Sequence, residues 1–259
     1  MKIASWNVNS IRARAERIED FLQRSDVDVL AIQETKAKDE QFPWEIFERI
    51  GYEVAHFGLN QWNGVALASR IGLQDVTRAL KNQPKFKDVV EPRALHAECG
   101  DVTVYSLYVP NGRSLDDPHM PYKLQWLAAL YDEVAEALKK NPDAKIVLAG
   151  DWNIAPLDTD VWDIKEFVGA THVSEPERRT FQKFLNLGFV DSSRKFYAGP
   201  DTYTYWDYKG LSFPKKKGMR IDFMLTSPAI TVENAWVDRE ERKGKGASDH
   251  APICMEILS

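Results

Sequence analysis

Short apolar runs alternate with polar loops along this chain, and the period of each run predicts an element. Residues 2–6 read as a strand that hands Asn7 and Asn9 to a loop, and the following segment places Ile11, Ala15, Ile18 and Leu22 at helical spacing, with Ser10 as its N-cap. Residues 28–32, apolar after Asp28, form a second strand ending in Gln33-Glu34. A short helix over 43–50 follows, then strands over 52–57, 64–69, 94–99 and 102–109, separated by Gly, Asn, Asp and Pro. Strands so close in sequence pair antiparallel. A long helix over 120–140 puts Leu124, Leu127, Leu130, Tyr131, Val134 and Leu138 on one face. The apolar run Ile146 to Ala149 then stops abruptly at Gly150, Asp151 and Asn153, with Gly150 read as a sharp turn. A polar residue at the carboxyl end of a buried strand is where α/β proteins place chemistry. A helix over 175–186 closed by Gly188 and strands over 203–206, 220–226, 231–237 and 252–258 complete the chain.

Strand runs thus occur in both halves, and Trp6-Asn7-Val8 is echoed by Trp152-Asn153-Ile154. No linker-like Gly/Ser/Pro stretch interrupts them. The pattern predicts an α/β fold, a single domain over 1–259 with two packed sheets and outer helices.

Composition narrows the function classes. Hydrophobic residues make up 44% and charged residues 28% of 259, ordinary for a soluble globular protein. The net charge is −5, so a polyanion must be held by a local patch or a metal and not by the molecule as a whole. Cys99 and Cys254 offer neither a disulfide framework nor a thiolate zinc site, and read as core residues. There is no signal-peptide pattern and no run of about 18 apolar residues, which predicts a cytoplasmic protein without a membrane partner.

Acids and amides end four strands or turns: Asn7/Asn9, Glu34, Asp151/Asn153 and Ser248-Asp249-His250. Glu34, Asp249 and an Asn carbonyl suit Mg²⁺, a hard cation that takes few protein carboxylates and keeps several waters. Asp222 lies inside an apolar strand and needs a hydrogen-bond partner, and His250, on a loop, can be that partner. An Asp–His pair favours the imidazolium, which grips phosphate oxygens. His56, His96, His119 and His172 share no metal-ligand spacing and read as structural or surface residues. Serine-elbow, P-loop and dinucleotide-binding sequences are absent.

SWNVNSIRA from Ser5, LAIQETK around Glu34, YVPNG at 108–112, LAGDWNIAP, the YTYWDY and GMRIDF pair, and SDHAP at 248–252 occur in one order along nearly the whole chain. Together they resemble the exonuclease III branch of the endonuclease/exonuclease/phosphatase superfamily, the bacterial abasic-site endonucleases of base-excision repair. The resemblance implies a four-layer α/β sandwich, two mixed sheets flanked by helices. It implies Mg²⁺, with Mn²⁺ as a substitute, held chiefly by Glu34 with Asn7, Asn9 and Asp249 close by and Asp151 and Asn153 lining a second position. Asp151 would orient and deprotonate the attacking water, Asn153 would hold that water or the transition state, Tyr108 would bind the phosphate or assist the leaving oxygen, and His250 backed by Asp222 would contact the scissile phosphate. Tyr205, Trp206, Met219 and Ile221 would form the slot for a base-free sugar, and Asn111 would bind DNA. Arg113 would fill the gap in the duplex, and Arg12, Arg14, Arg220 and Lys215 to Lys217 would touch phosphates. The expected substrate is double-stranded DNA with abasic sites or blocked 3′ ends, cut 5′ to the abasic site by a monomer that also trims and processes 3′ ends. Two alternatives are another phosphoesterase of the superfamily, acting on inositol phosphates or sphingomyelin, and a catalytically inactive regulatory relative. The YTYWDY and GMRIDF pair argues against the first, and the complete set of polar residues against the second.

Overall fold

The computed structural model describes residues 1–197 and 202–258. In chain order the strands are β1 (Lys2–Asn7), β2 (Val29–Gln33), β3 (Glu53–Phe57), β4 (Val65–Ser69), β5 (Gln74–Arg78), β6 (Ala94–Cys99), β7 (Val102–Tyr108), β8 (Ile146–Asp151), β9 (Asp222–Thr226), β10 (Val232–Val237) and β11 (Ile253–Ile257). The α-helices are α1 (Ala15–Ser25), α2 (Trp44–Arg49), α3 (His119–Lys140) and α4 (Glu175–Asn186). A six-stranded sheet runs β10-β11-β1-β2-β4-β3 and a five-stranded sheet runs β5-β6-β7-β8-β9. Both are mixed, because β1 pairs β2 and β7 pairs β8 in parallel while their other pairs are antiparallel.

Strands buried on both faces read as continuous apolar runs, and that is how the layers are built. Ile3, Val29, Ala31 and Leu67 of the first sheet meet Val104, Val147, Ala149 and Met224 of the second. The outer face of the first sheet, Leu30, Ile32 and Ala66, is covered by Ile18, Phe21 and Phe47 of α1 and α2. The outer face of the second, Leu148 and Phe223, is covered by Trp126, Leu130, Phe181 and Phe184 of α3 and α4. Each such buried side chain contributes roughly 1.5–3 kcal/mol. The result is the expected sandwich of helices, sheet, sheet and helices. Among the described residues no helix is long and apolar enough to cross a membrane.

Several local expectations give way. Gly150 is not a turn but part of β8, and a Cβ there would lie 1.9 Å from the Leu107 carbonyl oxygen, so its role is to let β7 and β8 approach. Ser10 caps no helix: the chain passes through a 3-10 turn at Arg12–Arg14 before α1, and no side chain caps either start. Residues 203–206 form no strand; Tyr205 only bridges Met219 and His250. Strand β5 carries no apolar alternation because all five of its residues are exposed on the sheet edge. By contrast α4 ends as its glycine predicts, with Gly188 at φ 110° and the Phe189 N–H returning to the Phe184 carbonyl at 3.1 Å.

The register gathers the polar strand ends. Asn7 lies opposite Gln33, which leads into Glu34, while Asp151 lies between Tyr108 and Asp222. The carboxyl ends of β1, β2, β7 and β8 therefore open on one edge of the sandwich, where the loop before β11 brings His250.

Candidate active site

Among the residues at this edge in the left-handed region are Asn9 (φ 45°), Glu34 (φ 53°), Asn153 (φ 50°) and His172 (φ 76°). Such conformations cost of order 1–3 kcal/mol each and persist only where neighbours enforce them. Ser10 N–H donates to the Glu34 carbonyl at 2.8 Å, and Asn153 N–H donates to Asp151 Oδ1 at 3.0 Å. Asn153 Nδ2 donates to the Val109 carbonyl at 2.9 Å, and Asn111 Nδ2 donates to Asn153 Oδ1 at 3.2 Å.

Asn7 is the hinge of the arrangement. Its amide nitrogen donates to Glu34 Oε1 at 2.8 Å and to Asp151 Oδ2 at 3.0 Å, joining the first sheet to the second. Its side-chain carbonyl oxygen accepts from Asn9 N–H at 3.0 Å. His250 Nδ1 pairs with Asp222 Oδ2 at 2.9 Å, and Asp222 also accepts from Thr204 Oγ1 at 2.5 Å. On the other side His250 Nε2 lies 3.8 Å from Asp151 Oδ2. Ligand atoms of Glu34, Asp151 and His250 fall within 4.8 Å of one another.

Burial drives the Asp151 carboxyl up to about 7, opposed by His250 and reinforced by Asp222 and Glu34. Burial works against the His250 imidazolium, but Asp222, by charge and hydrogen bond, and then Asp151 and Asp249 raise it to about 10. A ring so protonated holds anions. The oxygens serve a cation instead: burial raises the Glu34 carboxyl, yet Lys36, Asn7 and His250 bring it below its ordinary value. Lys36 Nζ already sits against Glu34 Oε2 at 3.0 Å and also bonds Asn9 Oδ1, so these oxygens converge on a positive charge. Asp249 stands beside them, accepting from Asn9 Nδ2 at 3.1 Å. A carboxylate and amide-oxygen set of this kind fits a hard divalent cation. The Tyr108 hydroxyl is held protonated, its pKa raised by burial and by Glu34.

The cavity at this cluster is about 170 Å³ and is lined by Glu34, Tyr108, Asn111, Asp151, Asn153, His172, Tyr205, Met219, Ile221, Asp249 and His250. Tyr205 packs on His250 with ring centroids 4.9 Å apart.

Two of the expected residues stand elsewhere. Trp206 is fully buried beneath the rim against Phe213, and Arg220 is buried with its guanidinium clamped on Asp191 at 2.7 and 2.8 Å, so neither reaches a substrate from there. Arg12 and Arg113 are exposed outside the cavity lining, as are Lys215 to Lys217. Arg14 bonds Tyr208 and the Ala247 carbonyl.

Two residues not anticipated from the sequence shape the cavity. His172 lines it, is 8% exposed, and its Nδ1 has no hydrogen-bond partner. Burial, with Lys123, lowers this imidazole to about 3, so it is neutral. Lys123, fully buried, pairs with Glu177 and donates to the Asn153 carbonyl at 2.6 Å. Glu177 in turn accepts from His172 N–H at 3.0 Å and Thr171 Oγ1 at 2.8 Å. Ser174-x-x-Glu177, a capping-box spacing ahead of α4, is the one signal that could have marked this corner.

The chain matches the model of the "Endonuclease/Exonuclease/phosphatase family" over residues 4–250. It is 32% identical over 270 residues to the exodeoxyribonuclease III of Haemophilus influenzae, covering 99% of this chain and 100% of that protein. The 3′-5′ exonuclease NExo of Neisseria meningitidis superposes with a TM-score of 0.93 at 38% identity, covering 100% of both chains. A variant of the 3′ phosphatase NExo from Neisseria, bound to a product DNA hairpin, gives 0.94 at 37% and again 100% of both. An AP endonuclease of Archaeoglobus fulgidus gives 0.94 at 34%, covering 100% of both chains. The shared fold, the full-length match and the carboxylate–imidazole cluster at the sheet ends place this chain in the exonuclease III/AP endonuclease family, among its DNA-repair hydrolases.

Proposed function

We propose that the chain is a Mg²⁺-dependent DNA phosphodiesterase, with Mn²⁺ as a substitute, that breaks bonds between phosphorus and a 3′ oxygen. Removing a 3′-terminal phosphate, releasing a 3′-terminal nucleotide and incising 5′ to an abasic site all break this bond. They differ only in what the phosphate still carries: nothing, one nucleoside, or a base-free sugar with the rest of the strand. The observation that carries the reading is the size of the catalytic cavity, about 170 Å³ with His172 in its wall. It lies below the roughly 300–1,000 Å³ usual for small-molecule sites. A phosphate with little behind it suits that space, so 3′-end processing ranks first. Incision at abasic sites, leaving a 3′-hydroxyl, is the second reading. It is favoured by the apolar rim of Tyr205, Met219 and Ile221, which could receive a bare sugar.

The side chains divide the work. Asp151, within reach of ionisation near neutral pH, takes a proton from water, and Asn153 holds that water in line with the phosphorus. His250 presents a protonated Nε2 to a phosphoryl oxygen while Asp222 fixes its other nitrogen. The water oxygen bonds to phosphorus as the P–O3′ bond breaks, and the protonated Tyr108 hydroxyl donates to the departing oxygen. Glu34, Asp249 and the Asn9 side-chain oxygen would hold Mg²⁺, which when bound would supply charge neutralisation at the phosphate.

Three duplexes test this: one ending in a 3′-phosphate, one with a 3′-hydroxyl end, and one with a single internal abasic site. Each is incubated with Mg²⁺ or a chelator, with wild type or Asp151→Asn. Expected is phosphate release that needs Mg²⁺ and falls by about 10²–10⁴ in the variant. A wild type that acts on none of the three with Mg²⁺ present, or a variant as active as wild type, overturns the reading.

A further inference from the structure

A second, wider cavity of about 730 Å³ opens directly beside the first and shares Glu34, Tyr108 and Asn111 with it. One wall is the loop carrying Trp62, the other the tight turn closed by mutual Phe86 and Val89 backbone hydrogen bonds, with Lys87 near its tip. Trp62 is 70% exposed, more than any other aromatic side chain among the exposed hydrophobics of the described residues. Trp62 N–H donates to Asn60 Oδ1 at 2.9 Å. The mouth also carries Lys36, Lys87 and Arg113. An exposed indole, flanked by Lys36, Lys87 and Arg113 in a groove that leads from a phosphate-hydrolysing centre, has the make-up of a base-stacking platform on a nucleic-acid track.

We propose that this groove holds the nucleoside on the 3′ side of the scissile phosphate, its base unpaired and stacked on Trp62. The inference rests on the 3′-end reading above and deepens it. The catalytic cavity is too small for a nucleoside, so a strand end that still carries one must lay it elsewhere, and the groove that shares Glu34 and Tyr108 is adjacent space. A base can enter only when it is free of its partner. Exonucleolytic release therefore selects frayed or unpaired 3′ ends, whereas removal of a bare 3′-phosphate does not use the groove at all.

Two hairpins separate these roles, one ending in a paired 3′-phosphate and one whose last three nucleotides are unpaired with a 3′-hydroxyl. For Trp62→Ala the KM for nucleotide release from the unpaired end rises about 5- to 150-fold, the worth of one base–aromatic stack, while phosphate release is unchanged. Trp62→Phe, which keeps an aromatic face, restores most of the loss. Binding of the unpaired-end hairpin in chelator, read by fluorescence anisotropy, shows the same order without turnover, so the platform is judged even if no hydrolysis occurs. Equal effects on both hairpins, or none on the unpaired one in either measurement, overturn the proposal. Failure of wild type to release phosphate from the paired hairpin counts against the hydrolytic reading alone.

Discussion

Single side chains set the chemistry of this site by what surrounds them. His172 would be an unremarkable histidine by sequence, yet it is neutral, strained at φ 76° and pressed into the catalytic cavity with an unpartnered nitrogen. Replacing it by Ala removes the ring from the wall that limits what a phosphate can carry. In His172→Ala, abasic-site incision is expected to gain at least about tenfold relative to 3′-phosphate removal, about 1.4 kcal/mol of recovered fit. Competition between the two substrates in one reaction measures that ratio, and an unchanged ratio would remove His172 from specificity. His250 is the opposite case. Its pKa is raised to about 10, so the imidazolium and its pairing with Asp222 are fully present below the ordinary value near 6.5 and are lost as pH rises through about 10. Activity that needs this cation should fall on the alkaline side near pH 10 in wild type. Asp222→Asn takes away the raising charge, and the alkaline limb of kcat/KM should move toward neutrality by more than one pH unit. A limb that stays in place would assign it to another group.

Elements, more than residues, decide what could be read from the sequence. Continuous apolar runs announced β2, β8 and β9 because strands buried on both faces leave no choice of residue. The carboxylates that end β8 and follow β2 were legible for the same reason: an acid placed just beyond a buried run stands out. β5 was not, since an exposed edge strand needs no pattern. Arg220 misled because a cation beside the site looks like a phosphate contact, and only the fold shows Asp191 already holding it. Nor could sequence spacing place Lys123 and Glu177, 54 positions apart, beneath Asn153. Their pair ties α3 to the start of α4 and to the loop after β8. Lys123→Met strips a fully buried carboxylate of its partner and should cost about 3–5 kcal/mol in urea unfolding. Adding Glu177→Leu should recover a substantial part, because the orphaned charge goes with it. If the double variant is as unstable as the single one, the clamp acts through packing and not through charge.

At the scale of the whole molecule, a chain of net charge −5 gathers Glu34, Asp151 and Asp249 at one edge, where the amide of Asn7 links Glu34 to Asp151. Like charges brought together on folding are a standing cost, partly relieved by Lys36 on Glu34. A divalent cation that displaces this ammonium binds the folded chain and not the unfolded one, so it must stabilise the fold before any DNA is present. At a concentration about 100 times its dissociation constant the gain is about 2.7 kcal/mol. For a chain of this size that corresponds to a rise in Tm of about 5–10 °C. Thermal unfolding against Mg²⁺ concentration measures it, and Glu34→Gln should flatten the curve while also lowering Tm in the absence of metal, since Lys36, Asn7 and His250 hold this carboxyl below its ordinary value and its charged form therefore stabilises the fold. A variant that keeps the full Mg²⁺ response would show that the cation's stabilising site lies elsewhere and that the convergence of oxygens on Lys36 is an ordinary ion pair.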